Sequence, residues 1–125
     1  MSRRKRIERR ITNPELIKTI RLLRKNTKDS GARIWKDIAE RLSRPNKRRV
    51  AVNISRLNRH TVDGDTVLVP GKVLGSGRLT HPITVAAFSF SETAKSKVVA
   101  AKGRCLSIIE LMEENREGRN VKIIG

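Results

Sequence analysis

The chain has 125 residues, and its 29 Lys and Arg stand against only 12 Asp and Glu, giving a formal net charge of +17 and a pI near 11.5. That length fits one compact domain with a genuine core, burying about two thirds of the unfolded surface, whereas that charge would repel itself in a free monomer unless a polyanion took up the excess. Nucleic acid is the expected partner. A membrane or secreted protein is not expected, because there is no apolar run of about 18 residues and no signal-peptide pattern, so the chain reads as soluble and intracellular.

The first stretch, Met1 to Ile11, sets Arg3, Arg4, Lys5, Arg6, Arg9 and Arg10 around one acid, Glu8. A tail of this kind buries too little apolar area to order itself and is expected to fold only against its partner. Asn13 and Pro14 then read as an N-cap followed by proline at the first helical position, with Glu15 well placed on the helix dipole. Leu16, Ile20 and Leu23, supported by Ile17, step at helical spacing, while Lys18, Arg21, Arg24, Lys25 and Lys28 take the remaining surface. Asp29, Ser30 and Gly31 break that pattern. A second helical period resumes through Ile34, Trp35, Ile38, Ala39 and Leu42 until Pro45 ends it.

A further basic cluster, Lys47, Arg48 and Arg49, leads into Val50, Val52 and Ile54, whose alternation predicts a short strand. From Thr66 the segment TVLVPGKVLG is β-like, but Pro70 and Gly71 require it to bend, bulge or lie at an edge, so a single straight central strand is not expected. Ile83 to Phe90 predicts a second strand, and Ser91 caps a helix that runs to Ala101 and stops at Gly103. Cys105 to Ile108 is a third strand candidate. Ser107 and Glu110 fit a capping box for a last short helix through Asn115, and Val121 to Ile124 closes the chain as a strand. The fold class expected is α/β, with a basic tail and two helices over residues 1–45 and a mixed β/α body over 46–125.

Charge is unevenly spread: residues 1–60 hold 20 basic and 5 acidic side chains, whereas residues 61–125 hold 9 and 7. The first half is the electrostatic footprint, and the second is the folded body that carries it. Only Trp35, Phe88 and Phe90 are aromatic, which argues against a surface that stacks splayed bases and favours backbone and groove recognition. The strongest candidate segment is NISRLNRHT, residues 53–61, where Asn53, Ser55, Arg56, Asn58, Arg59 and His60 interleave with Ile54 and Leu57. Apolar anchors would seat it, while guanidinium, amide and imidazole groups offer bidentate phosphate and base-edge contacts together. Lys72, Arg78 and His81 complete the candidate RNA-binding set.

Catalysis, metals and nucleotides all lack their residues. The glycines of PGKVLGSG (70–77) miss the phosphate-loop pattern, because Thr66 and Val73 stand where Gly and Ser or Thr are needed, and they do not open a helix as a dinucleotide fingerprint does. They are expected to serve turns and bends, or to let the backbone approach a phosphate beside Lys72. His60 and His81 are the only histidines, and neither has a carboxylate or Cys at ligand spacing. The single Cys105 excludes an intrachain disulfide and reads as a small buried apolar residue. No enzyme, cofactor or metal is expected. A helix-turn-helix around Gly31 is the rival, but its second helix would present Lys36, Asp37, Glu40 and Arg41, a mixed face poorly suited to a phosphate groove.

The segments VNISRLNRHT (52–61), GDTVLVPGKVLGSG (64–77), ITVAAFSFSETAKSKV (83–98) and GRCLSI (103–108) closely resemble the archaeal and eukaryotic L-eighteen-e family of large-subunit ribosomal proteins, relatives of bacterial L-fifteen. The resemblance runs from about Ile11 onward. It implies irregular β-β-α turns wound into a superhelical body with helices added at the N-terminus. It also implies a structural, non-catalytic role in stabilising large-subunit ribosomal RNA beside neighbouring ribosomal proteins, in the cytoplasm and without homo-oligomerisation. The long glycine- and arginine-rich extension of the bacterial relative is reduced here to a short arginine tail and two helices. Eukaryotic members look longer at the C-terminus, so by analogy an archaeal-type source is favoured.

Overall fold

The computed structural model describes residues 14–43 and 50–125. The arginine tail, the Asn13 cap, the Pro45 stop and the Lys47–Arg49 cluster lie outside the described residues. The elements follow in the order α1 (Pro14–Ser30), α2 (Arg33–Leu42), β1 (Val50–Asn53), α3 (Ile54–Arg59), β2 (Thr66–Leu74), β3 (Thr84–Phe90), α4 (Glu92–Ala100), β4 (Arg104–Ser107), α5 (Ile108–Glu114) and β5 (Val121–Ile123).

Local chemistry sets most of these boundaries. Gly31, at φ +71°, turns the chain out of α1 while its N–H donates to the Thr27 carbonyl at 2.8 Å, a left-handed exit that glycine adopts without a Cβ penalty. Ser91 accepts from the Ala94 N–H at 3.1 Å to start α4. Ser107 and Glu110 form the reciprocal capping box of α5, with Glu110 N–H to Ser107 Oγ at 3.0 Å and Ser107 N–H to the Glu110 carboxylate at 2.9 Å. Ile54 and Ile108 are first residues of helices and not last residues of strands, because the polar residue before each, Asn53 or Ser107, already occupies the N-cap position.

All five strands are parallel, in the order β1-β2-β3-β4, with β5 also pairing β2. Strand β2 lies in the middle. Its first half pairs β5 through Thr66–Leu68, its second half pairs β1 through Gly71–Leu74, and β3 runs along its other side. The Pro70–Gly71 signal appears as a shift of register between Val69 and Lys72 against β3, so the strand is bulged and central. Gly71 is needed there, since a Cβ would stand 2.1 Å from the Val50 carbonyl oxygen.

Side chains alternate across a strand, and β2 and β3 use that period to feed two cores. Leu68 and Ala86 point to one face, where they meet Leu16, Ile20 and Leu23 of α1, Trp35, Ile38 and Leu42 of α2, and Ile108 and Leu111 of α5. Val67, Val69, Val85 and Ala87 point to the other, where they meet Ile54 and Leu57 of α3 and Ala94 and Val98 of α4. The sheet is therefore covered on both faces, which explains why its strands read as unbroken apolar runs. The Arg116 carbonyl ties the helical layer to the α5–β5 loop by accepting from Trp35 Nε1 at 3.0 Å and Asn26 Nδ2 at 3.2 Å.

Candidate nucleic-acid interface

In a parallel sheet the strand ends that lead into helices share one rim, and ligands are recognised there. On this rim β1 passes into α3 at Asn53, β3 into α4 at Ser91 and β4 into α5 at Ser107, while β2 passes into a loop of residues 75–81. Ile54 and Leu57 bury one side of α3 completely, leaving Arg56, Arg59 and His60 exposed on the other. Ile54 and Leu57 seat the NISRLNRHT segment as expected, and of its polar residues Arg56, Arg59 and His60 are the exposed ones.

Loop 75–81 is lashed alongside α3 at successive points. Ser76 receives the Ser55 N–H on its carbonyl at 3.0 Å and donates its own N–H to Asn53 Oδ1 at 3.4 Å. Farther along, Asn58 Oδ1 accepts both the N–H and the hydroxyl of Thr80, each at 3.0 Å. His81 Nε2 then meets the Thr61 hydroxyl at 2.7 Å. Because that hydroxyl gives its one hydrogen to the Leu57 carbonyl at 2.7 Å, Nε2 is the donor in this contact.

Two further residues hold the loop. Lys97 of α4 donates from Nζ to the Gly75 carbonyl at 2.5 Å and to the Gly77 carbonyl at 2.6 Å. Gly77 sits at φ +103°, and a Cβ there would lie 2.4 Å from Ser55 Cβ. The glycines of PGKVLGSG bring chain close to chain, at Val50, Thr93 and Ser55.

The geometry divides the residues expected to bind RNA. Asn53, Asn58 and His81 are tied into the scaffold. Arg56, Arg59, His60 and Arg78 are exposed along one ridge, with Arg78 held between the ties at Ser76 and Thr80. Lys72 is not brought to them: Val73 faces the α3–α4 core, so by alternation Lys72 projects from the opposite face, beside Ala51 and Ser89 in register. Sequence reasoning missed Thr61, Thr80 and Lys97 as loop holders. Thr61, the last residue of the NISRLNRHT segment, is one of the buried polar residues.

Among the described residues no group of three or more His, Cys, Asp or Glu side chains gathers as for a metal. Cys105 is half-buried, and burial pushes its thiol up while Lys95 pulls it partly back, the opposite of an activated nucleophile. Asp65 lies just before β2, close enough to His81 at the end of the loop for that side chain to act on it electrostatically. There the Lys122 ammonium at 2.9 Å and the Val62 N–H at 2.8 Å hold its carboxyl below the usual range. On α2, Asp37 pairs Arg41 at 3.6 Å and the apolar face is packed on the sheet.

A basic α/β fold with arginines exposed on α3 and on the loop tied to it has the features of a structural nucleic-acid-binding protein. Comparison with known proteins gives the class its family. Residues 1–125 match the family described as ribosomal protein 60S L18 and 50S L18e. The chain is 57% identical over 113 residues to large ribosomal subunit protein eL18 of Methanothermobacter thermautotrophicus, covering 90% of this chain and 93% of that one. It is 48% identical over 114 residues to the protein of the same name from Methanococcus maripaludis, covering 91% and 95%. The chain belongs to this family of large-subunit ribosomal proteins, in its archaeal type, and the family is structural and not enzymatic.

Proposed function

We propose that this protein, a structural constituent of the large ribosomal subunit in the cytoplasm, holds ribosomal RNA along the ridge formed by α3 and loop 75–81. Arg56, Arg59 and Arg78 take phosphates, His60 adds a donor at the end of α3, and Asn53, Asn58 and His81 keep the two segments in register. The observation that carries this is the lashing of the Arg78 loop to the arginine helix at Ser55, Asn58 and Thr61. Groups held in place before binding lose less entropy on binding.

The tail arginines Arg3, Arg4, Arg6, Arg9 and Arg10 with Lys5, and the cluster Lys47, Arg48 and Arg49, add phosphate contacts that make affinity steeply salt-dependent. Residues 1–45 serve as an RNA-directed extension of the 46–125 body. Neighbouring ribosomal proteins are the other partners, while a membrane and a second copy of the chain are not. The test is sedimentation of a tagged copy in native lysate after a high-salt wash. Co-migration with the large subunit is expected. Release to the top of the gradient, or migration with DNA, would leave the helix-turn-helix rival as the account to test.

A further inference from the structure

The helices on the other face of the sheet carry a second basic feature, well separated from α3. Between α1 and α2 lies an open groove of about 500 Å³ lined by Arg21, Arg24, Lys25, Lys28 and Lys36, with Glu40 as its one acid. Among the described residues no Leu, Ile, Val or aromatic side chain lines it, so its walls are the stems of the basic residues, with charged ends at the mouth. Arg24, Lys25, Lys28 and Lys36 against Glu40 leave a positive excess among the described residues even with Arg21 left aside, and a low-dielectric wall focuses that excess outward. The sites also cannot be one surface: α1 and α2 pack on the face of Leu68 and Ala86, and α3 on the face of Val67 and Val85.

We propose that the α1–α2 groove is a second, independent RNA-backbone site, so that the protein joins two RNA segments across its sheet. The inference rests on the proposed RNA-binding role of the α3 ridge and extends it to the opposite face. Charge complementarity selects the occupant. A phosphodiester strand supplies repeated negative charge for the basic groups at the mouth and ribose surface against the aliphatic walls.

The variant K25Q/K28Q/K36Q keeps the helix lengths and alters only exposed side chains. With each phosphate contact contributing a log–log salt slope of about −0.7 to −0.9, removal of three should flatten the slope by about 2 to 3. Between about 50 and 200 mM salt the wild-type chain should then lose about 20- to 40-fold more affinity for a large-subunit ribosomal RNA fragment than the variant loses. With one such fragment immobilised, wild-type protein should capture a second, labelled fragment and the variant should not. Lysine acylation read by mass spectrometry gives a test independent of any mutation: Lys25, Lys28 and Lys36 should be shielded in the protein–RNA complex. If RNA binds and these lysines react as in the free protein, the groove assignment fails while the α3 ridge stands. If they are shielded only in the intact subunit, a neighbouring protein fills the groove and the proposal also fails. If no RNA binds at all, the ridge proposal fails with it.

Discussion

Replacing Lys97 with Met and replacing Arg59 with Gln each remove one positive charge from the same neighbourhood, yet the structure assigns them opposite consequences. The Lys97 ammonium is engaged by the Gly75 and Gly77 carbonyls at 2.5 and 2.6 Å, whereas the Arg59 side chain is exposed on the ridge. Hydrogen bonds from a charged group contribute about 1.5–3 kcal/mol each. Water can satisfy carbonyls in a partly exposed loop, so K97M should cost about 1–2 kcal/mol in total. In a chain of this size that lowers the melting temperature by roughly 3–8 °C. RNA affinity should fall because the Arg78 loop loosens, but the salt slope should stay unchanged, since no phosphate contact is lost. R59Q should leave the melting temperature within about 1 °C and reduce the slope by about 0.7–0.9, so that its deficit relative to wild type narrows about threefold between 50 and 200 mM salt. Thermal melts and filter binding across a salt series read both quantities. A K97M protein that melts like wild type and loses slope like R59Q would show Lys97 contacting phosphate, and the loop-holding role would be refuted.

Further outcomes follow from individual contacts. Asn58→Ala removes the acceptor of both Thr80 bonds and should cost about 1–2 kcal/mol by chemical denaturation, again with an unchanged salt slope. Gly77→Ala combines a φ of +103° with a Cβ placed 2.4 Å from Ser55, so it should destabilise by about 2 kcal/mol or more and weaken RNA binding. Trp35→Ala empties the largest fully buried position and should cost about 3–5 kcal/mol. The Asp65 carboxyl is held below its unfolded value by Lys122 and Val62, so its contribution is present above the ordinary carboxylate range and lost as pH falls through the folded value. Accordingly, the melting-temperature gap between wild type and Asp65→Asn should be widest near neutral pH and close in strong acid; a gap independent of pH would sink this linkage.

How much was legible in the sequence depended on how local the cause was. The caps at Ser91 and Ser107 and the burial of Ile54 and Leu57 follow from residues within one helical turn and stand as expected, whereas α1 runs on through Asp29 and Ser30 to the turn at Gly31 and Ile54 opens α3 instead of ending a strand. The Pro70–Gly71 pair announced an irregularity, but its place in the middle of the sheet depends on β1, β3 and β5, which pair from elsewhere in the chain. The ridge was legible as a motif. Its division into scaffold and exposed residues was not, because Asn58 and Thr80 are separated by 22 residues and Lys97 lies 20 residues beyond Gly77. Basic side chains look alike in sequence whether they face carbonyls, as Lys97 does, or solvent, as Arg56 does.

The central claim is that RNA lies on the α3–loop ridge, and ultraviolet cross-linking of native large subunits, with mass spectrometry of the nucleotide-bearing peptides, tests it most directly. Cross-links should concentrate within residues 53–61 and 75–81, with Arg56, Arg59, His60 and Arg78 as the attachment points. Cross-links confined to other parts of the chain, with both of these segments clean, would contradict it and leave the ridge to a neighbouring protein.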